Sequence, residues 1–125
     1  MATIEIGGKK YDLAMSLYAM EQIEEEFGDL KEAMGKFRGK GSSVKMVKKM
    51  FRIMGNAALH AKKQPETLTG KELDNLGLAG LNKVSQALRQ VMDESLHAET
   101  VNGGLADDEA VDVYAEQMEE SQKNA

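Results

Sequence analysis

The chain has no cysteine and no tryptophan, a single proline, and only 5% aromatic residues. Without cysteine there is no disulfide, no thiolate zinc site and no cysteine nucleophile. One proline, Pro65, leaves long stretches free to be helical, and three phenylalanines against nine methionines predict an adaptable interior built from helices more than from strands. No apolar run reaches the ~18 residues of a membrane span, and the opening "MATIEIGGKK" has neither a charged leader nor an apolar core. These absences predict a soluble, cytoplasmic protein. What is present is one domain's worth of chain, 125 residues with 42% apolar, enough for a modest core.

The net charge of −5 is unevenly spread. Lys31 to Lys63 carries ten Lys or Arg against one acid, Glu32, whereas Glu99 to Ala125 carries eight acids against Lys123. A basic middle and an acidic tail read first as a solvated helix face and a solubilising end, and second as a nucleic-acid footprint.

"TIEIGGKKYDL" alternates, with Ile4 and Ile6 on one face before the glycines and Tyr11 and Leu13 on one face after them. Gly7 and Gly8 can take the positive φ of a tight turn, so a short hairpin is expected. Ser16 can cap a helix whose stripe is Leu17, Met20, Ile23 and Phe27, and which ends at Gly28 in a left-handed conformation. Asp29 opens the next helix, with Glu32 completing a capping box and Leu30, Ala33, Met34 and Phe37 as its stripe. The third helix, roughly Val44 to Lys62 after Ser42 or Ser43, sets Lys45, Lys48, Lys49, Arg52 and Asn56 against an apolar arc wider than one neighbour needs. "TGKE", Thr69 to Glu72, caps a short turn bearing Leu73 and Leu76. A last amphipathic helix carries Leu78, Leu81, Val84, Leu88, Val91, Met92 and Leu96 and stops near His97, before a loose "TVNGGL". The expected fold is mainly α: a small helical bundle with a short N-terminal β-hairpin over residues 1–98, and an acidic, flexible or weakly helical tail over 99–125.

No stretch has the pattern of an active site. Glu24, Glu25 and Glu26 are consecutive, so a helix spreads them about 100° apart and they should not converge on one reacting atom. His60 and His97 lack metal-ligand spacing, and "GKFRGKGSS" departs from a phosphate loop in spacing and in the residue after Lys40. No catalytic residue, metal or cofactor is expected. The basic helix lacks the interleaved aromatics of a nucleic-acid binder, which makes such a partner a poor fit. Its apolar arc instead contains Met46, Met50 and Met54, a line of flexible side chains suited either to core filling or to receiving an apolar helix. These three, with the hairpin edge at Ile4 and Ile6, are the candidate partner-binding residues.

At "IEIGGKKYDLAMSLYAMEQIEEEFGDL", Ile4 to Leu30, the sequence resembles the tail assembly chaperones of long-tailed bacteriophages and prophages. The residues carrying the resemblance are Gly7, Gly8, Lys9, Tyr11, Leu13, Glu24, Glu25, Phe27, Gly28 and Asp29, about a quarter of the chain. The resemblance implies a non-enzymatic helper that associates with itself and with the tape measure protein. It would keep that protein soluble while tail tube protein polymerises around it, and would be absent from the finished virion. A head-to-tail connector or other virion component is the rival reading, followed by a small DNA-binding regulator.

Overall fold

The computed structural model describes the backbone of residues 2–39 and 42–103, with side chains as far as Ser95. Strand β1 (Ala2–Ile6) and strand β2 (Lys9–Leu13) form an antiparallel pair in which Ile4 faces Tyr11 and Ile6 faces Lys9. Gly7 and Gly8 close it with φ of +59° and +81°, the pair of positive angles a two-residue turn of this twist needs. The outer face is polar: Thr3 Oγ1 donates to Asp12 Oδ1 at 2.7 Å across the strands.

Ser16 caps α1 (Leu17–Phe27) by accepting from the Ala19 N–H, and Asp29 caps α2 (Leu30–Arg38) by accepting from the Lys31 N–H. Between them Gly28 has φ +97° but ψ −124°, so the chain turns through a glycine-only region rather than through the expected left-handed helical one. The positive φ was legible; the reversal is sharper because α2 begins at once.

The central element is α3 (Val44–Ala61), capped by Ser43, with nine of its 18 residues buried. The hairpin and α1 both pack on it, and α2 lies against α1. The Ala14 N–H donates to Met54 O at 3.0 Å, pinning the end of β2 to the helix, and Tyr11 meets Phe51 edge-on with ring centroids 5.5 Å apart. Leu13, Ile23, Met34, Phe37, Met50, Phe51, Met54 and Leu88 are fully buried and make the core. The wide arc of α3 is therefore filled by its own neighbours.

After α3, "TGKE" forms the expected box: the Thr69 N–H donates to the Glu72 carboxylate, Thr69 Oγ1 accepts from the Lys71 N–H, and a 3-10 turn follows at Lys71–Leu73 with Leu73 buried. Helix α4 spans Leu78–Gly103, six residues beyond His97, because Ala98 to Asn102 contain no helix breaker before Gly103. Val84, Leu88 and Val91 are buried as its stripe requires. Two assignments at helix starts fail: Leu17 is 80% exposed and Leu78 74%, since each is the first residue of its helix and projects past the layer below. The chain divides into two compact units, Met1–Val91 and from Met92 onward, so both this division and the one expected after residue 98 fall inside α4. The acidic tail lies outside the described residues beyond Gly103.

Candidate functional site

The five candidate binding residues sit deeper than an open surface. Met50 and Met54 are fully buried, Met46 is 8% exposed, Ile6 is buried and Ile4 half-buried. Ile4 and Ile6 share one face of β1, alternating with the solvent-facing Thr3 and Glu5, so they serve the hairpin's packing, and among the described residues no strand pairs with the outer edge of β1. Met50 and Met54 are core, and a partner could touch them only if the body opened.

Met46 differs in position. It lies in the first turn of α3 and borders a cavity of about 400 Å³ with Phe27 from the end of α1 and Ala33 from α2, while Glu32 and Lys36, one turn apart on α2, stand at its rim. The lining pairs an apolar floor with one charge of each sign. Such a groove can accept an apolar side chain and orient the backbone around it through two opposite charges.

A second cavity, about 310 Å³, lies between α1, α3 and the loop after α3, lined by Tyr18, Gln22, Glu25, Glu26, Arg52 and Glu66 among others. Glu25 and Glu26 both border this space, which is broad enough to span two diverging directions. They are not equivalent. Glu26 is held by Lys49 Nζ at 2.7 Å and Arg52 Nη2 at 3.0 Å, and those two hydrogen bonds, Lys49 first, keep its carboxyl below the ordinary range. A carboxylate so committed anchors α1 to α3 and has little proton affinity to offer a substrate.

Glu66 organises the other side. It accepts from the Tyr18 hydroxyl at 2.8 Å and lies 3.1 Å from His60 Nδ1, while the Tyr18 and His60 rings stack with centroids 3.7 Å apart and planes 4° from parallel. The hydrogen bond to Glu66 raises the Tyr18 hydroxyl above its usual value. Next to this cluster, Asn56 Nδ2 donates to Leu68 O at 3.0 Å and its Oδ1 accepts from the Leu68 N–H at 2.9 Å, so one side-chain amide pairs with one backbone residue as a strand neighbour would. Gly55 makes room for this approach: a Cβ there would lie 2.3 Å from Leu68 Cδ1. Together these contacts fix the loop from Lys62 to Gly70 along α3.

None of Tyr18, Asn56, Glu66 and Leu68 was singled out from the sequence as a site residue. Gly55-Asn56 in mid-helix was the available signal, because both residues weaken a helix interior and need a compensating contact. Among the described residues no group of three or more His, Asp or Glu could hold a metal ion, and no helix is long and apolar enough to cross a membrane. Compared with known proteins, the chain matches no family model, no curated protein and no solved structure.

Proposed function

We propose that this chain is a phage tail assembly chaperone that works by binding: it holds apolar helical segments of the tape measure protein and keeps that protein soluble during tail assembly. The observation that supports this most is the groove at Met46, where an apolar floor of Phe27, Ala33 and Met46 opens between α1, α2 and α3 under the opposite charges of Glu32 and Lys36. Methionine repacks around different side chains at small cost, which suits a partner offering many related helical segments in succession. The residues behind the resemblance also form a continuous unit, from the Gly7-Gly8 turn through the helix capped at Ser16 to the restart at Asp29. In this reading Glu26, with Lys49 and Arg52, keeps that unit fixed to α3.

The test is capture of co-expressed tape measure protein by tagged chain. Met46→Glu places a charge on the groove floor and should abolish capture. Because Met46 is nearly buried, a second variant leaves the floor intact and exchanges the exposed rim, Glu32→Lys with Lys36→Glu; it should weaken capture with native circular dichroism. Undiminished capture by the folded rim variant and by Met46→Glu would contradict the reading.

A further inference from the structure

A third cavity, about 510 Å³, runs along the exposed side of the first half of α3 and has a different character. One wall is Lys45, Lys48, Lys49 and Arg52, spread over two turns or ~10 Å of helix; the facing wall is Thr69 and Lys71 of the capped turn. Val44, 56% exposed, closes one end. Internal pairing neutralises part of the charge: Lys48 meets Asp74 at 2.5 Å, and Lys49 and Arg52 share Glu26. Lys45 and Lys71 form no ion pair among the described residues, so the groove keeps two uncommitted cations on opposite walls in a chain whose net charge is −5.

We propose that this groove binds an acidic segment of a partner protein, with carboxylates bridging Lys45 and Lys71 and an apolar side chain resting on Val44 and the lysine stems. Charge complementarity selects the occupant. A nucleic acid fits less well for two reasons. No aromatic lines the groove to stack a base. The turn at Thr69–Lys71 also walls the helix, since a Cβ at Gly70 would already lie 3.2 Å from Lys48 O, and a walled helix cannot enter a DNA major groove. An acidic peptide strand or helix turn needs only the groove itself. This inference does not depend on the chaperone reading.

The experiment uses the full chain and a short fluorescein-labelled peptide of Glu and Leu, with the same peptide carrying Gln for Glu and a random-sequence DNA duplex as comparators, at one salt concentration. The Glu peptide should bind, and both its Gln version and the Lys45→Glu/Lys71→Glu chain should lose about tenfold or more in affinity. Lys83→Glu, an exposed cation on α4, should leave the affinity within about twofold. Both groove lysines are exposed and form no ion pair among the described residues, so circular dichroism of the double variant should be native. Absence of peptide binding, an equal loss in Lys83→Glu, unchanged affinity in the double variant, or tighter binding of the duplex than of the peptide would each overturn the proposal.

Discussion

Asn56 bears on two of the grooves along α3, because the loop it holds supplies Glu66 to one and Thr69 and Lys71 to the other. In Asn56→Ala both bonds to Leu68 vanish, leaving a half-buried N–H and C=O of Leu68 to be satisfied by water. Two neutral hydrogen bonds contribute about 1 kcal/mol each, and incomplete rehydration of the Leu68 groups adds to the loss. Alanine's better helix propensity returns roughly 0.6 kcal/mol. The expected net loss is about 1.5–2 kcal/mol. Asn56→Asp should cost at least as much, since the acceptor for the Leu68 N–H remains while a carboxylate oxygen replaces the donor facing Leu68 O. Urea unfolding followed by circular dichroism reads this directly: with a slope of about 1–2 kcal/mol/M, the midpoint of the alanine variant should fall by roughly 1 M at unchanged slope. A midpoint within ~0.2 M of the parent would show that water replaces the amide without penalty, and that the loop is held by other contacts.

Other substitutions separate local from tertiary causes. Gly28→Val should destabilise by more than ~1 kcal/mol through backbone strain alone, since φ is +97° and a Cβ there meets no atom within 4 Å; a neutral result in a thermal melt would mean the turn relaxes freely. Ser85→Ala should be neutral or stabilising by up to about 1 kcal/mol, because the Ser85 hydroxyl, 4% exposed, has no hydrogen-bond partner among the described residues; a loss would reveal one. Acid should weaken the fold through Glu26 and Asp12, both held below their ordinary values, by Lys49 then Arg52 and by Lys62 then Thr3 respectively. A carboxyl depressed in the folded state contributes stability above its unfolded value, about pH 4, and loses it as pH falls through the folded value. Glu26→Gln should therefore flatten part of the stability decline below about pH 4.5 in acid titrations of the urea midpoint, and an unchanged decline would contradict this.

The parts of the fold visible in the sequence are those decided within a few residues. Ser16, Asp29, Ser43 and the Thr69–Glu72 box each satisfy a backbone group two or three positions away, so their side-chain chemistry announces them. The hairpin was legible from alternation around Gly7-Gly8, and the buried stripe of α4 from its three- and four-residue steps. What was not legible depends on pairings distant in the chain. Tyr18 and Glu66 are 48 residues apart, and no periodicity joins them. The width of the α3 arc reads as more than one neighbour's worth, and Met46, nearest the loop end, is the least buried of its three methionines; that it lies beside Phe27 and Ala33 depends on where α1 ends and α2 begins. The exposed Leu17 and Leu78 show the limit of a helical wheel, which carries angle but not height along the axis.

The most direct test of the account is the solubility of the tape measure protein when it is produced with and without this chain in the same cells. If the proposed role holds, the tape measure protein is insoluble alone, moves to the soluble fraction with the chain and co-purifies with it, and the Glu32→Lys/Lys36→Glu variant supports this transfer less well. A tape measure protein equally insoluble in both conditions, or the chain recovered at fixed stoichiometry in finished particles, would contradict it.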